Sequence, residues 1–127
     1  MKKRDFSEWP NQKLWPSRTT DSWKEKVWRA YRAICKYNKV NESKIAVTRA
    51  SLRKITGVDG RNISNWITVN CREVVEENQR WGIHNHRFPD ITLNFYNRRY
   101  SQYQLSEMLE TLNRMYLGGC APINVLR

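Results

Sequence analysis

The stretch TRASLRKITGVDGRNISNWIT, residues 48–68, decides how this chain is read. Thr48 is suited to accept amide hydrogen bonds at the start of a helix over residues 49–56. Gly57 stops that helix, because a residue without Cβ takes up positive φ and lets the chain reverse. Asp59 starts a second helix, its carboxylate lying at the positive end of the helix dipole. Leu52, Val58, Ile63 and Trp66 fall where two such helices must pack on each other. Two positions depart from that pattern: Arg53 stands where a close crossing favours a small residue, and Thr56 where an apolar one is usual. The expected product is a helix-turn-helix, an arrangement that seats its second helix in the major groove of DNA.

The apolar spacing carries this second helix on from Gly60 to about Gln79, with Ile63, Trp66, Ile67, Cys71, Val74 and Val75 on one face. Its first turns hold Arg61, Asn62, Ser64, Asn65 and Thr68. These side chains suit base edges, since Arg pairs with guanine, Asn with adenine, and hydroxyls with either. Its later turns hold Glu73, Glu76 and Glu77, which repel phosphates, so DNA is expected at the N-terminal end.

Charge points the same way. The chain carries a net charge of +11, and residues 1–61 contribute +10 of it, with 16 basic against 6 acidic side chains. A basic surface of this kind attracts polyanions and binds them in a salt-dependent way. The candidates for holding phosphates are Arg29, Arg32, Arg49, Arg53 and Lys54, with Arg87 further along.

Upstream, the Trp-Pro steps at 9–10 and 15–16 lie among Lys2, Lys3, Arg4, Lys13 and Arg18. Proline keeps the residue before it extended, so residues 1–19 are expected to form an extended basic arm. That arm either pins its tryptophans to the domain or offers them to nucleic acid or a protein partner. Residues 20–127 are expected to form one domain. Ser22 and Glu25 read as a capping box for a first helix ending near Tyr37, with Trp23, Val27, Ala30, Tyr31 and Ile34 inward. Its outer face holds Arg29, Arg32 and Lys36, with Lys26 close by, a basic stripe suited to clamping phosphates. Residues 38–46 read as a loop.

Residues 80–97 change pattern. The alternation Ile91-Thr92-Leu93-Asn94-Phe95 predicts a strand, and a short hairpin here would be a wing bringing Arg87, Arg98 and Arg99 toward a DNA backbone. A last helix over residues 101–117 begins with Ser101 and Gln104 as a capping pair. Leu105, Met108, Leu109, Leu112, Met115 and Tyr116 form its apolar stripe, which either closes the core or pairs two copies into a homodimer.

At 127 residues with 39% hydrophobic and 12% aromatic content, the chain has enough apolar material for one folded domain and too much for a disordered one. It holds no apolar run long enough to cross a membrane and no signal peptide, so a cytoplasmic location is expected. Cys35, Cys71 and Cys120 are expected to be reduced and buried. No Cys-x-x-Cys pair supports a zinc site with His84 and His86, so no metal or cofactor is expected.

Three enzymatic patterns fail on detail. His84-Asn85-His86 is contiguous, whereas the HNH nuclease motif separates these residues. Asn85 is a poor residue to bury behind a His-x-His metal pair that would work with Tyr96, Tyr100 or Tyr103. His84 and Arg87 match the His-x-x-Arg step of tyrosine recombinases, but the remaining basic groups of such a site need a larger domain. The chain is therefore not expected to be an enzyme.

Leu52, Thr56-Gly57, Gly60, Ile63, Trp66-Ile67, Glu77-Asn78, Trp81-Gly82-Ile83, His84-Asn85 and Asp90-Ile91-Thr92 occur in an order and spacing found elsewhere. Through them residues 23–97 resemble an accessory DNA-binding module of protelomerase-like tyrosine recombinases and related plasmid and mobile-element proteins. The resemblance implies DNA binding through Arg61, Asn62 and Asn65, in recombination or transcription regulation, and carries over no catalytic residue. The expectation is a mainly α, winged helix-turn-helix protein with its motif over residues 48–79, binding a specific double-stranded DNA sequence. The alternative is a protein-interaction factor, an inhibitor or adaptor of a nucleic-acid enzyme, using the Trp-rich arm and the last helix.

Overall fold

Thr48 begins the first of two short helices by the expected hydrogen bonds. In the computed structural model, which describes residues 6–83 and 100–123, its hydroxyl accepts from the Ser51 amide at 3.0 Å. The Ser51 hydroxyl in turn accepts from the Thr48 amide at 2.9 Å. Six helices are described: α1 (Asn11–Leu14), α2 (Ser22–Val40), α3 (Arg49–Thr56), α4 (Gly60–Val69), α5 (Cys71–Arg80) and α6 (Gln102–Tyr116). The protein is thus mainly α-helical, with no strand among the described residues.

Gly57 ends α3 at φ +69°, and Asp59 opens α4 by accepting from the Arg61 amide at 2.8 Å. Thr56 is buried without cost, because its hydroxyl donates to the Leu52 carbonyl at 2.8 Å and accepts from the Val58 amide at 3.1 Å. Leu52, Val58, Ile63 and Trp66 are all buried between the elements.

The longest helix, α2, packs against α3, α4 and α6. Val27, Ala30 and Ile34 are buried, with Trp23 and Tyr31 packed at the margin. Its start differs from expectation. Asp21, at φ +74°, precedes the helix, and the Ser22 hydroxyl donates back to the Thr19 carbonyl at 2.8 Å rather than capping. Glu25 is left to pair with Arg29, so the capping box does not form, and the helix runs three residues beyond Tyr37.

The helix expected from Gly60 to Gln79 is broken at Asn70. Both the backbone amide and the side-chain amide of Asn70 donate to the Trp66 carbonyl, at 2.9 Å each, which closes α4 and lets α5 start in a new direction. The β-branched run Ile67-Thr68-Val69 before it lowers helix propensity. The break redistributes the expected apolar face: Val74 stays buried, Val75 is partly exposed and Cys71 is exposed. Cys35 and Cys120 are only half-buried, so none of the three free cysteines lies fully in the core.

Buried asparagines lace the irregular segments to the helices. Asn38 of α2 donates to the Ile45 carbonyl at 2.9 Å and accepts its amide at 2.8 Å. Asn78 of α5 makes the same pair with Val47, at 3.0 and 2.8 Å, and Asn113 of α6 with Ala121, at 3.1 and 3.0 Å. Ile45 and Ala46, read from sequence as the end of a loop, are fully buried between these clamps, and so is Val47.

Residues 6–19 are not an extended arm. They contain the single turn of α1, and they bury Phe6, Leu14 and Trp15 against the domain. Ser101 and Gln104 form the expected capping box of α6, which lays Leu105, Leu109 and Leu112 against the core and α2. The α6 stripe therefore closes the core, leaving Tyr103 and Met115 as its exposed large residues. Residues 84–97, on which most of the wing was expected, lie outside the described residues together with Arg87, Arg98, Arg99, His84 and His86. No described helix is long and apolar enough to cross a membrane.

Candidate nucleic-acid interface

Four residues into α4 the helix has turned once, so Arg61, Asn65 and Thr68 follow one line along it, and all three are exposed. Asn62 and Ser64 flank that line and are partly exposed. Thr68 donates its hydroxyl proton to the Ser64 carbonyl at 3.0 Å, which leaves the oxygen as an acceptor toward a ligand. Trp66, on the opposite side, anchors the helix to α2 through ring contacts with Trp28 and Tyr31 at 6.3 and 5.7 Å.

The neighbouring helix brings positive charge to the same edge. Arg49 and Arg53 are one turn apart on α3 and both are exposed. The Arg49 guanidinium reaches across to the start of α4, where a Cβ on Gly60 would lie only 2.5 Å from its Nη2 and 2.8 Å from its Nε. Glycine at position 60 thus leaves room for the guanidinium next to Arg61. Lys54, rotated about 100° around the helix from Arg53, is partly exposed on a different aspect. Asp59, with one oxygen on the Arg61 amide, is the acidic group nearest this cluster in sequence.

Ion pairing among the described residues engages four other cations and none of these. Arg29, Arg72 and Arg80 pair with Glu25, Glu76 and Glu77 at 2.9, 3.1 and 3.1 Å, and Lys24 stands 3.9 Å from Asp21. Among the described residues Arg32, Arg49, Arg53, Lys54 and Arg61 have no such acidic partner. Unpaired, exposed cations keep their full attraction for an external anion.

Arg29 leaves the expected phosphate-holding set. Besides Glu25 it donates to the Asn11 side chain at 2.9 Å and to the carbonyls of Phe6, Ser7 and Trp9 at 3.1, 3.4 and 2.6 Å. Its guanidinium is a clasp for the N-terminal segment. Lys26 is held similarly, donating to the Ser17 carbonyl at 2.7 Å, and burial with Arg18 nearby lowers its pKa.

The acidic end of the expected long helix is also divided. Glu73 and Glu76 are exposed on α5, while Glu77 is buried and accepts from Trp81 Nε1 at 2.7 Å and from Arg80. Cys35 beside it is pushed up from 9.0 to about 11, by burial first and then by the Glu77 charge, so its thiol stays protonated at neutral pH. Sequence reasoning missed this polar cluster, and it missed Trp28, whose four-residue spacing from Lys24 and Arg32 was the available signal. No group of three or more metal-ligating side chains occurs among the described residues. The chain matches no protein-family model, no curated protein and no solved structure.

Proposed function

We propose that this protein binds double-stranded DNA in a sequence-specific manner, using α3 and α4 as a helix-turn-helix. In this reading α4 lies in the major groove, Arg61, Asn62, Ser64, Asn65 and Thr68 read base edges, and Arg49, Arg53 and Lys54 hold phosphates. The observation that carries it is the junction of the two helices, where the unpaired guanidinium of Arg49 lies over Gly60 beside the exposed Arg61. Arg32 joins the set from α2, and Arg29 does not. The resemblance over residues 23–97 suggests the setting, a regulator or accessory factor of a mobile element.

Selection from a random duplex pool, followed by binding measured against salt, tests this reading. If Arg49, Arg53 and Lys54 each neutralise one phosphate, log K falls with log salt with a slope of about −2.7 or steeper. Arg61→Ala is expected to relax preference at one base position, costing about 1–3 kcal/mol there. Lys54→Ala is expected to weaken all sequences alike and to flatten the slope by about 1. A flat salt response without an enriched sequence would turn the assignment toward a protein-interaction factor.

A further inference from the structure

Along α2, Lys24, Trp28, Arg32 and Lys36 recur every four residues, which sets them on one face of the helix. It borders the row that grips the N-terminal segment through Arg29 and Lys26, Arg29 standing three residues before Arg32. Arg32 and Lys36 are exposed with no acidic partner among the described residues, and Lys24 is exposed, its ammonium 3.9 Å from Asp21 and 5.8 Å from the centre of the Trp23 ring. Between them Trp28 is partly exposed.

The Trp28 ring stacks on Tyr31 at 5.6 Å and tilts against Trp66 of α4 at 6.3 Å. The Tyr31 hydroxyl donates to the Glu73 carbonyl at 3.2 Å. Trp28 thus meets α4 at Trp66, and Tyr31, three residues on, meets both Trp66 and α5. Lys24 and Arg32 lie one turn to either side of Trp28 on α2.

Among the described residues the indole N–H of Trp28 has no acceptor, and since none of their buried side-chain polar atoms lacks a partner, this one reaches solvent. Two aromatic neighbours pack against its ring. A solvent-reaching donor one turn from an exposed cation on either side lacks what a phosphodiester strand supplies, acceptor oxygens carrying negative charge.

We infer that Lys24, Trp28 and Arg32 hold one strand of the DNA backbone beside the groove entered by α4, with Trp28 donating its indole N–H to a phosphate oxygen. This inference rests on the reading of α4 as the DNA-facing helix. It adds a second, sequence-independent grip that positions α4 without reading bases.

The test compares the wild-type chain with Lys24→Ala/Arg32→Ala, Trp28→Phe and Arg61→Ala on the duplex selected by the wild type. The double variant is expected to flatten the salt slope by about 1.8 while keeping the same preferred sequence. Trp28→Phe keeps a stacking ring but loses the donor, and is expected to bind about tenfold more weakly at unchanged melting temperature. Should Trp28→Phe melt lower, the exposed double variant decides alone. A wild-type slope in the double variant, with Arg61→Ala still impaired, overturns the α2 assignment and spares the reading of α4. A wild-type chain that binds no duplex overturns both.

Discussion

At Gly60 the proposed DNA contact of Arg49 depends on one missing methyl group. Gly60 does not adopt positive φ, so nothing in its backbone demands glycine, and a helical glycine ordinarily costs up to about 1 kcal/mol relative to alanine. What occupies the space of its Cβ is the guanidinium of Arg49, the far end of a flexible side chain. Gly60→Ala is therefore expected to fold with a melting temperature no lower than wild type, while losing DNA affinity to the same extent as Arg49→Ala. Combining the two changes should cost no more than Arg49→Ala alone, because both act through one guanidinium. Additive losses in that cycle, measured by duplex titration, would dismiss Gly60 as a positioning residue. The need for glycine here was not legible in the sequence, where Gly60 reads as the first residue of the second helix. Only the side chain folded back from eleven residues upstream gives it a role.

At the scale of elements, legibility followed the range of the interactions that set each boundary. Thr48, Gly57, Asp59 and Ser101 act on backbone groups within a few residues, and the boundaries they imply are those observed. The break at Asn70 was hidden because an apolar face continues across it in sequence, while a single side-chain amide bonded to the Trp66 carbonyl ends α4. Asn38, Asn78 and Asn113 were equally silent. Each reaches both backbone groups of a residue in a non-helical segment, and Asn78 does so across 31 positions. Asn78→Ala would leave the buried amide and carbonyl of Val47 without partners. An unfolding titration in urea is expected to find it about 2–4 kcal/mol less stable, far more than a helix-surface asparagine would cost. A loss below 1 kcal/mol would mean that water or a shifted chain replaces the clamp.

Over the whole molecule, the charge count located the excess in the first half but could not say which cations face outward. Arg29 sits in the middle of a basic row, yet Glu25 one turn earlier and three carbonyls of residues 6–9 hold it inside the fold. The same contacts change what an N-terminal truncation would mean. Were residues 1–19 a free arm, their removal would leave the rest of the fold intact and test a partner-binding role. Instead Phe6, Leu14 and Trp15 are buried, and at about 1.5–3 kcal/mol for each large side chain their loss approaches the 5–15 kcal/mol typical of a whole domain. Deleting residues 1–19 is therefore expected to lower the thermal midpoint sharply or unfold the chain, abolishing any activity regardless of where its partner binds. Trp9→Ala, at a partly exposed ring on the same segment, should leave the midpoint within a few degrees of wild type, and is the cleaner probe of a protein partner. A truncated chain that melts like the intact one would show that the segment adds nothing to the core and would restore the free-arm reading.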